Sequence, residues 1–558
     1  MSVRTFMSFG IALMLAACGA ADKGESAASA SANPVISLDT LRTVTERLSS
    51  DEFEGREPGS PGEAKTLAYL VERFQAAGLK PGNEGSWFQD VPLVELTAQN
   101  VSPLSFTGGK APLSLAYGPQ MVVGTNRVTP RIDLKDSEVV FVGYGINAPE
   151  RGWNDYAGLD VKGKTVVILI NDPDWETKNL EGPFGGRAMT YYGRWTYKYE
   201  EAARQGAAAA LIVHQTEPAA YGWNVVQSSW TGAQQVADAA NGHMDHSQAV
   251  GWIGLDQARA LFASGGQDFA RLAAAAKVKG FKAVPLGGVK ASVSFDMNVR
   301  KHSSKNVIGI LPGTSRADEY VLYTAHWDHL GRCEKAPDGD DICNGAIDNA
   351  TGTAALVALA QANAKAGPTP RTQVFLAVTA EESGLLGSAY YGSNPVFPHA
   401  RTVGGVNIDA MQLAPPARNV VVVGKGKSEL DGFLERALAA QGRVATAEPT
   451  PEKGFYYRSD HFSFAKYGVP MLYFDGGDDL VKGGKAAGAA YAEDYEKNRY
   501  HGPADEFNPG WDWSGALRDA QVYYAVGRAL AQSDAWPKWA PGDEFRAIRD
   551  RSRSGATG

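Results

Sequence analysis

Long apolar runs that stop abruptly at an acid or a histidine set the pattern of the second half of the chain. Val-Leu-Tyr-Thr-Ala at 321–325 stops at His326, with Asp328 and His329 just beyond. Phe-Leu-Ala-Val-Thr-Ala at 375–380 stops at Glu381 and Glu382, and Val-Asn-Ile at 406–408 stops at Asp409. A short continuous apolar run bounded in this way reads as a strand buried on both faces. Such strands build α/β sheets, whose ligands bind outside the carboxyl ends of the strands. His326, Glu381, Glu382 and Asp409 are therefore expected in one crevice. Residues 351–366 are Ala-rich and stop at Gly367, which predicts a helix. Asp348 lies at the start of that helix and is expected to face the same crevice.

Elsewhere the pattern predicts two helices within 35–80, the second over 64–77 and ending at Gly78. They flank Arg56-Glu-Pro-Gly59, which reads more as a surface turn than as part of a site. Residues 139–145 and 164–170 read as buried strands, and 199–205 as a helix leading into a strand over 207–213. A strand and turn follow at 306–313. Past Asp409 come strands at 420–423 and 471–474 and helices at 430–441 and 517–530. Ser459 reads as the N-cap of a short helix ending at Gly468. The tail beyond Pro541 is charged and is expected to fray.

Imidazole and carboxylate ligands without thiolates suit zinc, manganese or cobalt. A carboxylate shared by two ions permits a close-spaced two-metal site. The Glu381-Glu382 pair suggests that one carboxylate binds metal while the other stays free as general base. Asp328, two residues after His326, can accept the second N–H of that imidazole. His243 and His246 read as a surface loop.

The 558 residues suggest several domains, and the net charge of −8 gives no basic footprint for nucleic acid. Arg4 precedes an apolar run over 6–17 that is too short to span a membrane comfortably. The run ends Leu15-Ala-Ala-Cys18, which resembles a bacterial lipobox. This implies cleavage before Cys18 and lipidation of it. Gly19 follows, so the usual inner-membrane retention signal is absent. An Ala/Ser-rich tether continues to about 34. Two cysteines then remain, Cys333 and Cys343, an even number in an oxidising compartment, and a disulfide between them is expected.

Six pieces carry a family resemblance: Ala325-His-Trp-Asp328, Gly345-Ala-Ile-Asp-Asn-Ala-Thr-Gly352, Ala380-Glu-Glu-Ser-Gly384, Asn407-Ile-Asp409, Ser459-Asp-His-Phe462 and Tyr500-His-Gly-Pro-Ala-Asp505. In this order the chain resembles the secreted and surface-attached di-zinc exopeptidases, which include bacterial leucyl-type aminopeptidases and glutamate carboxypeptidase. The resemblance implies an α/β fold: a mixed-sheet αβα zinc-exopeptidase domain with an inserted, β-rich protease-associated domain. It implies two Zn2+ ions, with His326, Glu382, Asp409 and His501 as terminal ligands and Asp348 as the bridge. Glu381 is then the general base, and the Asp348-Asn349 bond is a candidate cis peptide. Asp460 and His461 are implied as structural support. The oxyanion donor is Tyr456 by analogy with the aminopeptidases, or Tyr500 by analogy with the carboxypeptidases.

The expected organisation is a signal peptide over 1–18 and a linker over 19–34. The N-terminal part of the peptidase domain then covers 35–136, the protease-associated domain 137–296, the catalytic domain 297–540 and a tail 541–558. The expected protein is exported and anchored to membrane through lipidated Cys18, in the outer membrane facing the periplasm or the cell surface. Its substrate is a peptide. Acids near the ligands in sequence, Asp328, Asp340, Asp341, Asp460, Asp475, Asp478 and Asp479, favour the cationic end of that peptide and so an aminopeptidase. Arg458 and Arg499 also flank site motifs and keep a carboxypeptidase open. A glutaminyl cyclase, which shares this fold, and a non-catalytic lipid-anchored binding protein stay open as well.

Overall fold

The computed structural model describes residues 36–333 and 335–554. The lipobox and the tether lie outside the described residues. The chain forms an α/β fold around a large mixed sheet. Strand Arg316–His326 runs parallel to Arg371–Val378 on one side and to Thr402–Asn407 on the other. Met471–Asp475 adds a further parallel strand beside Thr402–Asn407. The first three strands stop at or just before His326, Glu381 and Asp409, so their acids and histidine share one end of the sheet.

The period-2 alternation of a strand explains the continuous apolar runs. Val321, Tyr323, Ala325, Phe375 and Ala377 join one core, with helices Leu38–Leu48, Gly352–Lys365 and Ser514–Gln532 packed over it. Leu322, Val374, Leu376 and Val378 point to the opposite face and pack with Tyr391 and Phe464. Both faces are covered, so no polar alternation survives.

A second core draws on residues from Val94 to Met297. Strands Thr165–Leu169, Ala209–His214 and Ala249–Gly254 run parallel there, with Val167 and Leu169 on one face and Val166 and Ile168 on the other. Residues 94–134, grouped by sequence with the N-terminal part of the peptidase domain, pack in this second core. One long strand, Val284–Leu311, joins the two cores. Its beginning pairs with Arg131–Phe141, its middle with Phe88–Gln99 and its end with Arg371–Val378.

Two local expectations are corrected. Ser459 does not cap the short helix His461–Ala465, whose N-cap residue is Asp460. The Ser459 hydroxyl instead accepts from Asn407 Nδ2 at 2.8 Å. The tail does not fray at 541, because helix Arg546–Ser554 docks on the sheet. Buried Arg549 donates to the carbonyls of Thr402 and Val403 at 2.9 and 3.0 Å. Among the described residues no helix is long and apolar enough to cross a membrane.

Candidate metal centre

His326, the last residue of its strand, is buried and presents Nε2 to two carboxylates. Asp348 Oδ1 lies 3.3 Å away and Asp409 Oδ1 3.1 Å away. The other ring nitrogen, Nδ1, is 3.2 Å from the main-chain oxygen of Asp328 and 3.8 Å from its carboxylate. The orienting acceptor is thus the Asp328 carbonyl rather than the side chain. The Asp328 carboxylate instead accepts the main-chain N–H groups of Glu381 and Glu382, at 3.2 and 3.4 Å. It fixes the turn that presents the glutamate pair. Burial pushes it up to about 7.

Asp348 sits in a tight turn just before helix Gly352–Lys365, and the Asp348-Asn349 peptide is cis. Its two oxygens face different histidines: Oδ1 faces His326, and Oδ2 lies 3.3 Å from His501 Nε2. Buried Asp505 accepts the main-chain N–H groups of Ile347 and Asp348 at 3.0 Å, which aims the turn. Burial would raise the Asp348 carboxyl. The hydrogen bonds from His326 and His501 outweigh it and hold Asp348 well below the usual range.

Glu382 Oε2 lies 3.1 Å from His501 Nε2, and Oε1 accepts from His329 Nδ1 at 2.6 Å. Burial opposes ionisation here too, but His501, then His329, hold the Glu382 carboxyl at about 2. His501 is correspondingly raised to about 10: burial lowers it, and Glu382 and Asp348 overcome that. Glu381 behaves differently. No described residue hydrogen-bonds its carboxylate, and its ligand atom lies within 4.8 Å of those of His326 and Glu382. Burial pushes it well above the carboxylate range, with His326 opposing and Asp409 and Glu382 adding to the rise. Ala380, Ala410 and His501 all have φ between 52° and 57°. Left-handed backbone at non-glycine residues clusters where a site over-determines it.

Ligand atoms of His326, Asp348 and Asp409 lie within 4.8 Å of one another, and so do those of His329, Asp348 and Glu382. Asp348 belongs to both groups. Among the described residues no Lys or Arg forms an ion pair with Asp348, Glu381, Glu382 or Asp409; their only ion-pair partners are histidines. A buried, carboxylate-rich cluster without a matching cation is costly. This donor set fits divalent metal ions.

Of the two tyrosines, the structure brings Tyr500 to the centre and not Tyr456. Tyr500 is 47% exposed, and its ring stacks on His501 at 3.9 Å between centroids. The Tyr456 hydroxyl is buried without a partner, and its ring lies between His461, at 4.7 Å, and Lys427 Nζ, at 4.8 Å. The His461 ring also packs on Tyr473. Burial lowers His461 to about 3 and raises neighbouring Asp460 to about 7.

The sequence reading missed two residues. His329 was visible in the His-Trp-Asp-His string but carried no assigned role. Arg56, expected in a surface turn, is fully buried beneath the centre. It donates to the carbonyls of Trp327 (2.9 Å), Leu48 (2.8 Å), Asn344 (2.7 Å) and Gly345 (2.9 Å). One guanidinium thus ties the His326 loop to the Asp348 turn. Its neighbour Gly55 has φ 67°, and a Cβ there would meet the carbonyls of Cys343 and Gly331 at 2.5 Å. Cys333 and Cys343 are disulfide-bonded and close the loop between those two segments.

Residues 306–525 match the profile of peptidase family M28. The chain is 31% identical over 133 residues to the glutamate carboxypeptidase 2 homolog of Caenorhabditis elegans, covering 23% of this chain and 16% of that protein. It is 28% identical over 149 residues to aminopeptidase NAALADL1 of Mus musculus, covering 24% and 18%. The chain thus spans less than a fifth of the length of either curated relative. In three dimensions it is similar to an aminopeptidase from Aneurinibacillus sp. strain AM-1, with 20% identity, 90% of this chain and 97% of that one covered, and a TM-score of 0.50. The two share a fold. Residues 306–525, which gather His326, Asp348, Glu382 and Asp409 at one end of the sheet, are thus the part of the chain that is similar to peptidase family M28.

Proposed function

We propose that the chain is a two-zinc exopeptidase that removes N-terminal residues from peptides. The observation that carries this reading is Asp348, whose two oxygens face two separate histidine-carboxylate groups while Glu381 stays unpaired beside them. His326, Asp348 and Asp409 would hold one ion, and Asp348, Glu382 and His501 a second; the pair supplies Lewis-acid polarisation of a peptide carbonyl and acidification of water. His329 orients Glu382 through its Nδ1–H. Glu381 takes the proton of the attacking water and passes it to the leaving amine. Tyr500 is placed to donate to the developing oxyanion.

The free α-amine is favoured by the acids left without counter-charges. Asp341, Asp478 and Asp479 are bonded to Arg332, Asn419 and Arg418. Asp475 remains beside Asp409 in the lining of one cavity, with no ion-pair partner among the described residues. The Aneurinibacillus neighbour and the mouse relative are named aminopeptidases, whereas the nematode relative is a glutamate carboxypeptidase homolog. Comparison of Leu-Gly-Gly with its N-acetyl and C-amide forms tests the assignment. Cleavage of the free and amide forms only is expected. Cleavage of the acetylated peptide with sparing of the amide would reverse it.

In this reading the second core is a protease-associated domain, and lipidated Cys18 anchors the protein to membrane. Cys18→Ser should release an active, soluble protein. Wild-type protein already found in the soluble periplasmic fraction would remove the anchor from the account.

A further inference from the structure

The second core meets the catalytic core where residues 187–191 lie against residues 449–466. Arg187 pairs with Glu452 at 2.9 Å, and Met189 N–H donates to Pro451 O at 3.1 Å. Tyr191 supplies the apolar part of this contact. Its ring packs on Tyr197 of the second core at 5.3 Å between centroids. Across the boundary it packs on Phe462 at 5.1 Å and on Tyr457 at 6.1 Å. Lys466 Nζ lies 5.0 Å from the Tyr191 ring and 4.8 Å from the Phe462 ring. The Tyr191 hydroxyl donates to Glu200, which pairs with Lys466 at 3.7 Å. Tyr191 thus packs both on the second core and on the apolar cluster that holds Tyr456, Tyr457 and Phe462.

Residues 457–463, against which Tyr191 rests, reach the supports of both groups of candidate ligands. Ser459 accepts from Asn407 Nδ2 at 2.8 Å, and Asn407 Oδ1 accepts from Thr324 Oγ1 at 2.6 Å. Asn407 and Thr324 are register partners on neighbouring parallel strands. Each stands two residues before a candidate ligand, Asp409 or His326, and so on the same face of its strand. This chain of hydrogen bonds therefore lies directly beneath the His326-Asp409 pair. On the other side, the hydroxyls of Ser463 and Ser388 are hydrogen-bonded at 2.9 Å. Ser388 belongs to helix Leu386–Ser393, whose first two N–H groups close onto the carbonyls of Ala380 and Thr379, just before the glutamate pair. Leu385 packs on the same apolar cluster as Tyr191. Thr324, Asn407, Ser459, Ser388 and Ser463 are all buried.

Groups bonded behind metal ligands set the ligands' orientation, and buried hydrogen-bond chains hold one arrangement. We infer that Tyr191 is a positioning residue of the metal centre: through this ring the second core seats residues 457–463, and with them the supports of both ligand groups. The second core thereby takes part in metal binding. This rests on the two-metal reading above.

The test is a chelator competition on the full-length, zinc-loaded protein, with thermal midpoints of the metal-free forms as a measure of structural damage. Tyr191→Ala should weaken the binding of at least one ion by about tenfold. Tyr191→Phe keeps the ring and should bind like the wild type. Tyr192→Leu is the control, because Tyr192 packs on Phe184 and Tyr197 and bonds Glu150, all in the second core. It should lower the midpoint and leave metal affinity unchanged. Ser459→Ala should weaken binding as Tyr191→Ala does, and the double variant should lose less than the two losses combined, since both act along one path. If Tyr191→Ala does not fold, Tyr191→Leu takes its place. Wild-type affinity in the Tyr191 variant, an equal loss in Tyr192→Leu, or losses that simply add would each overturn the inference and leave the two-metal reading standing. A wild type that binds no zinc would overturn that reading itself.

Discussion

Both cores contain parallel strands that end in an acid or a histidine, yet the two sets of charges have different fates. In the second core, strand Thr165–Leu169 leads to Asn171 and Asp172, and Ala209–His214 ends in His214. Asp172 accepts from Thr190 N–H at 2.6 Å and from Thr190 Oγ1 at 3.0 Å. Lys198 is buried nearby, donating to the carbonyls of Tyr144 and Asn171 at 2.6 and 3.0 Å. Burial lowers Lys198 to about 8, against the pull of Asp172 and Asp155. His214 Nε2–H reaches Tyr221 O at 3.0 Å. Here Asp172 has fixed donors, Lys198 is buried nearby, and the histidine has a fixed acceptor. In the other core, among the described residues, Asp348, Glu382 and Asp409 form ion pairs only with histidines, and the Glu381 carboxylate accepts no hydrogen bond. A strand ending in an acid is therefore a common device of α/β sheets. What sets the candidate metal centre apart is that its carboxylates converge on histidines.

The sharpest way to break this contrast is to neutralise the free carboxylate. Glu381→Gln should lower turnover by about 10²–10⁴-fold, the usual cost of losing a general base, while elemental analysis still finds both ions. Loss of the ions in that variant would assign Glu381 as a ligand instead. In the second core the corresponding cut is Lys198→Met. Removing the buried cation leaves Asp172 and Asp155 uncompensated and should cost roughly 3 kcal/mol of stability in denaturant titration. An unchanged midpoint would mean that hydrogen bonds alone hold these acids.

Two smaller effects refine the catalytic side. Tyr500→Phe should lower kcat by about 10²-fold if its hydroxyl supports the oxyanion. Tyr456→Phe should leave kcat unchanged, since its hydroxyl is buried without a partner. The opposite pattern would return the role to Tyr456. Asp328→Asn should loosen the turn beneath the glutamate pair and weaken metal affinity by about 10–100-fold in a chelator competition. Unaltered affinity would leave Asp328 no role in aiming that turn.

Legibility in the sequence followed locality. The strands at 321–326 and 375–380 were readable because both faces are buried and the apolar runs are unbroken. Their terminal acids were readable because they are adjacent in sequence to those runs. Arg56 was not, because an arginine in a Gly/Pro turn looks the same whether it faces solvent or four carbonyls up to 289 residues away. The start of the second core at Val94 was hidden because strand Phe88–Gln99 passes from one core to the other without a break in pattern. Helix Arg546–Ser554 reads as a solvated tail by charge, and only the carbonyls of Thr402 and Val403, distant in sequence, give Arg549 a reason to dock. Ser459 looked like a cap because nothing local reveals that Asn407 recruits its hydroxyl.

Arg56 has one more consequence, and it concerns time. The turn carrying Asp348 is gripped from below by Arg56, near the beginning of the chain, and from the side by Asp505, near its end. A ribosome adding about 5–20 residues per second needs tens of seconds to travel between them. The turn itself is made 292 residues after Arg56, and from then until Asp505 appears it lacks one of its two grips, while His501 has not yet been made. The emerging polypeptide therefore has no finished centre until the segment carrying His501 and Asp505 has been made.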